Sequence, residues 1–139
     1  MSQRLLIDSG VLIALLDSRD THHAWAREIA AANPLGFASC EAVLTEVFYQ
    51  IRSSERAKHA VLAMLEAGWI IPLPIPARSL PTITRIIKKY HPLSDYADAC
   101  LVALHEVTDA TVATVDRRDF SIYRTRSNRA VPVILPDLT

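Results

Sequence analysis

The chain has 139 residues, half of them apolar and 22% charged, which excludes a disordered tail and predicts one folded domain with a real core. Fifteen basic residues cancel fifteen acidic ones, so a nucleic-acid partner has to be met by a local basic patch and not by a global field. No apolar run reaches the ~18 residues of a membrane span, and the short one after Arg4 breaks at Asp8, so neither a membrane segment nor a signal peptide is expected and the reading is a soluble, cytoplasmic protein.

The first predicted element is a short buried strand, Leu5-Leu6-Ile7. Ser9-Gly10 then opens a helix from Val11 to Leu16, apolar all round. A second helix runs from about Thr21, a suitable cap, to Ala32, before Asn33-Pro34. Leu35 to Ala38 is a brief strand, and Ser39 is placed to cap a helix that carries Glu46 and runs to about Ser53. Glu55 to Ala67 is helical, with Val61, Leu62, Met64 and Leu65 facing inward and Gly68 as its stop. Trp69 to Leu73 reads as a strand cut off by Pro72 and Pro74.

Ser79 to Tyr90 is helical, with Pro81 acceptable only in the first turn, and His91-Pro92 ends it. Ser94 caps the next helix, which bears Asp95 and Asp98 and continues to about Val107. Thr111 to Val115 is a strand without polar/apolar alternation, as expected where both faces are buried. Asp116 to Phe120 reads as a turn, Ser121 to Arg124 as a short edge element, and Val131 to Leu135 as the last strand. Strands alternating with helices predict an α/β fold with a mostly parallel sheet.

Four acids stand out against this frame. Asp98 sits amid Ala97, Ala99, Leu101 and Val102, where a carboxylate is costly to bury unless a cation or a donor meets it. Asp8 and Asp116 directly follow predicted strands, and Glu46 interrupts the apolar run Val43-Leu44-Val47-Phe48. In open parallel sheets ligands bind beyond the carboxyl ends of the strands, so Asp8 and Asp116 are expected on one rim, with the helices bearing Glu46 and Asp98 turning one face toward it. Two unit charges ~4 Å apart repel by about 4 kcal/mol at an effective dielectric of ~20, so such acids share a site only with cations or retained protons. Mg²⁺ or Mn²⁺ suits an all-carboxylate set, and in phosphodiester cleavage such ions activate water and stabilise the leaving oxygen. Each acid also has a purely structural reading. Asp8 can cap the helix after it, Asp116 the turn at Arg117-Arg118, Asp95 can favour a helix first turn, and Glu46 can be a surface acid.

The segments Leu6-Ile7-Asp8-Ser9-Gly10-Val11-Leu12-Ile13-Ala14-Leu15, Leu44-Thr45-Glu46-Val47, Asp95-Tyr96-Ala97-Asp98-Ala99-Cys100-Leu101-Val102-Ala103 and Ala113-Thr114-Val115-Asp116-Arg117-Arg118-Asp119-Phe120 together resemble PIN-domain ribonucleases, most of all VapC-type toxins of bacterial toxin–antitoxin pairs. The resemblance implies a three-layer α/β/α fold, Mg²⁺ or Mn²⁺ dependence, endonucleolytic RNA cleavage, an antitoxin that blocks the site, and a homodimer. By position it implies a catalytic set of Asp8, Glu46, Asp95, Asp98 and Asp116, with Asp8, Asp98 and Asp116 as metal ligands and Asp119 as a secondary candidate. Glu46 and Asp95 are then expected to bind a second metal or to orient water. It also implies an apolar groove for an antitoxin helix, for which Leu12, Leu15, Trp25 and Phe48 are the expected lining.

Ser9 and Thr114 are candidates for hydrogen bonds to a carboxylate or to the substrate phosphate, against helix start and strand packing as their structural roles. Arg117, Arg118, Arg124, Arg126 and Arg129 crowd the stretch after Asp116, and arginine forks suit phosphate. This is the candidate RNA patch, with Arg117 and Arg118 nearest the acids; a solvated loop or a dock for an acidic partner segment is the alternative. Trp25, Phe48 and Trp69 read as core or interface. His22-His23, His59, His91 and His105 show no metal spacing, which argues against zinc and against a histidine base. Cys40 and Cys100 read as small buried hydrophobes of a reducing compartment, with a bridge between them left open. Two other functions compete with the nuclease. One is a PIN-like module that holds RNA or protein without cutting, against which the full acid set argues. The other is a HAD-type phosphatase, which wants an aspartate where Gly10 stands.

Overall fold

The structure, a computed structural model, describes residues 3–92 and 95–137. Its strands are β1 (Leu5–Ile7), β2 (Phe37–Ser39), β3 (Ile70–Pro72), β4 (Val112–Ala113) and β5 (Val133–Ile134), all parallel in the order β3-β2-β1-β4-β5. The helices among the described residues are α1 (Ser9–Leu16), α2 (His23–Ala32), α3 (Glu41–Gln50), α4 (Glu55–Glu66), α5 (Leu80–Tyr90), α6 (Tyr96–Thr108) and α7 (Arg117–Ile122). The chain leaves β1 in one direction through β2 and β3, then returns to the other flank of β1 for β4 and β5. Right-handed crossovers in opposite directions cover opposite faces of a sheet, which yields the expected three-layer α/β/α arrangement. The reversal falls between β1 and β4, where Leu6 pairs with Val112 and Ile7 with Ala113. A crevice opens beyond the carboxyl ends of strands at such a switch point.

The strands are short and carry buried apolar residues on both faces: Leu6, Ile7, Phe37, Ala38, Val112 and Ala113. Helix α6 is the most enclosed helix, with every residue from Ala97 to His105 buried. Its apolar composition therefore reflects burial on all sides, and Asp98 is buried with it. Pro72 lies within β3, which is tolerable because β3 is an edge strand with no neighbour on its outer side. No helix among the described residues is long and apolar enough to cross a membrane.

Several local expectations are corrected. The predicted turn from Asp116 is the start of α7, because the Asp116 side chain accepts the Asp119 N–H at 2.9 Å and closes a helical first turn. Ser121 lies inside that helix, and Arg124 makes only an isolated antiparallel bridge to Ala130. Ser39 is the last residue of β2 and not a cap; its hydroxyl donates to the Ile7 carbonyl at 2.9 Å, and Cys40 takes the N-cap position of α3, which ends at Gln50. The N-cap of α2 is His22 in place of Thr21, with the Asp20 carboxylate accepting the His22 N–H at 2.8 Å. Leu62 is 43% exposed, while Val61 is the buried residue of α4. The predicted Ser94 cap lies outside the described residues; Asp95 occupies the N-cap position of α6. Of the expected groove residues, Leu12 is 0% exposed and belongs to the core, and Trp25 and Phe48 pack half-buried against it. Leu15 lines a surface cavity of about 850 Å³ together with Ile13, Leu16 and Met64.

Gly36 sets where β2 begins. Its φ is +94°, and a Cβ there would sit 1.8 Å from the Trp69 carbonyl oxygen, which Phe37 N–H already contacts at 2.8 Å. Gly36→Ala is expected to destabilise the protein by at least ~2 kcal/mol through clash and backbone strain. Gly68, at φ +72° and with nothing within 4 Å of the place a Cβ would take, is the control: Gly68→Ala should cost only about 1 kcal/mol, the left-handed penalty alone. Urea unfolding midpoints of the two variants measure the difference.

Candidate functional site

Three helix N-termini meet beyond β1 and β4, each closed by an aspartate: Asp8 for α1, Asp95 for α6 and Asp116 for α7. In every case Oδ1 accepts the capping N–H, from Val11 at 3.1 Å, Asp98 at 2.7 Å and Asp119 at 2.9 Å. Capping and membership of an acidic site are alternatives in the sequence; the fold combines them, because one oxygen caps and Oδ2 remains for other partners. The three aspartates line one cleft of about 170 Å³ together with Asp98 and, from α3, Glu46. Gly10 permits the closeness of this junction, since a Cβ there would lie 2.6 Å from Val115 Cγ2 and 3.6 Å from Asp8 Oδ1.

Three hydroxyl groups orient the carboxylates. Thr114, wholly buried, donates to Asp8 Oδ2 and accepts the Asp116 N–H at 2.9 Å, so it ties the acids at the ends of β1 and β4 to each other. Of the two partners expected for it, a carboxylate or the substrate phosphate, the structure shows the carboxylate. Ser9 donates to Glu46 Oε2 at 3.0 Å and holds that side chain across the cleft. Tyr123 donates to Asp98 Oδ2 at 2.9 Å. Sequence reasoning missed Tyr123, which lies 25 residues beyond Asp98. Its fully buried ring packs edge-on against Phe120 and Tyr90, with centroids 5.2 and 5.4 Å away. The available signal was general: a buried tyrosine hydroxyl needs a partner.

Among the described residues, the carboxylates of Asp98, Asp116 and Asp119 bring oxygen atoms within 4.8 Å of one another. Asp119 thus joins the cluster more closely than expected, because the first turn of α7 folds it back beside its own cap. Asp8 stands on the wall of the same cleft.

Burial dominates the electrostatics. It pushes Asp98 up to about 8, with the neighbouring Asp95 charge adding to the effect and the Tyr123 hydrogen bond opposing it. Burial likewise pushes Asp8 up to about 6 against the donors Thr114 and Val11. Glu46 and Asp119 are also raised, first by burial, then by Asp95 for Glu46 and by Asp116 for Asp119. The ion pairs among the described residues, Arg19–Asp17 and Lys58–Glu55, lie outside the cleft. An oxygen-only donor set that makes no ion pair among the described residues fits a hard divalent cation and fits neither a soft metal nor an anion.

The arginines divide into two groups. Arg117 donates to the Pro136 carbonyl at 2.7 Å, and Arg124 to the carbonyls of Ser121 and Tyr123 at 2.9 Å each. Arg118, Arg126 and Arg129 are exposed, as Arg117 is, and the Arg118 charge reaches Asp119, whose acidity it strengthens.

No curated protein sequence matches the chain. Several solved structures share its fold, three of them as follows. The toxin VapC20 from Mycobacterium tuberculosis is 16% identical, with 79% of this chain and 86% of that chain covered, at a TM-score of 0.67. A toxin–antitoxin complex from Klebsiella pneumoniae is 18% identical, covering 85% and 91%, also at 0.67. DNA-bound VapBC from Salmonella typhimurium is 16% identical, covering 96% and 98%, at 0.66. The family model for the PIN domain matches residues 5–125, and with that span, which takes in every acid of the cleft, the chain belongs to the PIN-domain family.

Proposed function

We propose that this protein is a Mg²⁺- or Mn²⁺-dependent endoribonuclease of the cytoplasm, the toxin of a toxin–antitoxin pair, acting as a homodimer and held in check by a cognate antitoxin. The observation that carries the proposal is the single small cleft lined by Asp8, Glu46, Asp95, Asp98 and Asp116, with the ion pairs of the described residues all lying elsewhere. Structural neighbours support it: VapC20 is a sarcin–ricin-loop-cleaving toxin, and others are toxin–antitoxin complexes.

In this reading Asp98, Asp116 and Asp119 hold the ion, with Asp8 completing the set from the cleft wall. When bound, a divalent ion activates a water, offsets the phosphate charge and stabilises the leaving oxygen. The chain's own residues do the positioning. Thr114 keeps Asp8 and Asp116 in register, Tyr123 turns the Asp98 carboxylate, and Ser9 holds Glu46 opposite, where it orients the attacking water and takes its proton. Asp95 holds the first turn of α6, and hence Asp98, in place and adds negative charge for a second ion. Arg118, Arg126 and Arg129 receive phosphates of the RNA strand on either side of the scissile bond.

Asp98→Asn should reduce cleavage of RNA by the purified protein to background while leaving the far-UV circular dichroism spectrum unchanged. Wild-type cleavage by that variant would end the assignment, and RNA binding by the wild type without divalent-dependent nicking would favour a non-cutting module.

The perturbed carboxylates predict how the metal-free protein responds to pH. Asp8 and Asp98 titrate in the folded state at about 6 and about 8, above the ordinary 3.8. The folded chain therefore holds more protons than the unfolded one. The resulting stabilisation is complete below the ordinary value and is lost as pH rises through about 6 and then about 8. In a chelator the melting temperature should fall across this window, and added Mn²⁺ should restore most stability at its alkaline end, where fewer protons compete for the site. A melting temperature that rises with pH in chelator would contradict the buried acid cluster.

Tyr123→Phe removes the donor to Asp98 and leaves its burial uncompensated. Mn²⁺ affinity at neutral pH is expected to fall ~10–100-fold, as for other losses of a hydrogen bond to a metal ligand, with cleavage recovering at saturating Mn²⁺. A loss of kcat that saturating metal does not repair would assign Tyr123 a role beyond positioning.

A further inference from the structure

We propose that Cys40 and Cys100 form an oxidisable dithiol, which hydrogen peroxide converts into an intramolecular disulfide joining α3 to α6. Both cysteines are free, both are buried, and the two thiols are neighbours close enough to alter each other's acidity. They come from different elements: Cys40 is the N-cap of α3, and Cys100 lies in the second turn of α6. Both also line a surface cavity of about 640 Å³, walled by Leu73, Ile75, Ile83 and Tyr96. The cavity gives a small uncharged oxidant a route to sulfur atoms that bulk reagents do not reach, since the two residues are only 1% and 2% exposed.

The N-cap position favours Cys40 as the attacking sulfur. Its thiol is pulled down, first by the neighbouring Cys100 thiol and then by the positive end of α3. Cysteines at helix N-termini are the ones that react as thiolates. In the first step the Cys40 thiolate attacks one oxygen of the peroxide. The O–O bond breaks, hydroxide leaves and takes up a proton as water, and Cys40 becomes a sulfenic acid. In the second step the Cys100 sulfur attacks the Cys40 sulfur, the S–O bond breaks, and a second water departs with the Cys100 proton. Two thiols lose two electrons and one peroxide becomes two waters. The sulfurs must close to the ~2 Å of an S–S bond, which draws the start of α3 toward α6.

Those helices carry Glu46 and Asp98, the latter two residues before Cys100. The bridge therefore ties the thiol pair to the acidic cleft, and its formation should weaken divalent-ion binding there. Bond formation does not depend on the nuclease reading, and its readout is separate from activity.

The test uses the full chain, reduced, then exposed to hydrogen peroxide in its native state and alkylated after unfolding. The expected result is an intact mass lower by two hydrogens, no alkyl group added, a proteolytic fragment linking Cys40 to Cys100, and reversal by dithiothreitol. Cys100→Ser should stop at a Cys40 sulfenic acid that a dimedone probe captures once the chain is unfolded. Mn²⁺ binding measured by calorimetry should weaken several-fold in the bridged protein and return on reduction. Two alkylatable thiols after peroxide treatment, or only intermolecular bridges, would overturn the dithiol. A bridged protein with unaltered Mn²⁺ binding would overturn its coupling to the cleft. Loss of RNA cleavage in reduced wild-type protein bears on the nuclease proposal alone.

Discussion

Mutual repulsion among carboxylates in one small cleft, two of them buried, is the constraint around which this molecule is arranged. Asp98, Asp116 and Asp119 bring oxygens within 4.8 Å of one another, and Asp8, Glu46 and Asp95 stand on the same cleft or its rim. One charged pair at that spacing costs about 4 kcal/mol at an effective dielectric of ~20. The three helix N-termini return part of this, because each capped aspartate gains about 1 kcal/mol from its cap and ~0.3–1 kcal/mol from the helix dipole. The returns are smaller than the cost of several simultaneous charges. Protons or a divalent ion must supply the rest, and Asp8 and Asp98, raised first by burial and further by the neighbouring acids, are the groups that keep protons in the absence of an ion.

The topology makes that crowding possible with few residues. Because β1 and β4 are neighbours at the point where the sheet reverses direction, Asp8 and Asp116 arrive side by side although they are 108 positions apart in the chain. Thr114 then links them through one buried hydroxyl, and Gly10 removes the side chain that would hold α1 away from Val115. The other acids come from helices. Helix α6, buried along most of its length, delivers Asp98 from the core outward, and α3 delivers Glu46 under the control of Ser9. The hydroxyl partners are therefore as much a part of the site as the acids. Without them the carboxylates would rotate apart to relieve their repulsion.

Much of this arrangement is legible in the chain. Leu5-Leu6-Ile7 followed by Asp8, and the unalternating run before Asp116, read as parallel strands ending in acids, and both acids do reach the switch-point crevice. Asp98 is legible because an acid inside an apolar helix has few structural uses. What cannot be read depends on contacts that no local pattern encodes. Helix α7 reads as a turn because its six residues are too few to show periodicity, and only the Asp116 cap reveals it. That same turn brings Asp119 into the cluster. Tyr123 carries no motif, and its hydroxyl meets Asp98 only because Phe120 and Tyr90 fix its ring. The arginine run is uniform in sequence, and nothing local shows that Arg117 and Arg124 also hold main-chain carbonyls. The adjacency of Cys40 and Cys100 likewise requires the packing of α3 on α6.

The three capping aspartates show why the charge itself carries meaning. Asparagine caps a helix about as well as aspartate does, and it would do so here without repelling its neighbours. If Asp8, Asp95 and Asp116 served only to start α1, α6 and α7, asparagine at each position would give the same first turns at lower electrostatic cost. The fold instead places charged caps at all three ends where they face one another. A capped aspartate has its Oδ1 fixed by the backbone, so its Oδ2 is pre-aimed and loses little further freedom when it meets a ligand. Rigid, pre-aimed oxygens with unrelieved negative charge are what a small hydrated cation needs in order to exchange water for carboxylate. The repulsion stored in the cleft thus becomes the driving force for loading it.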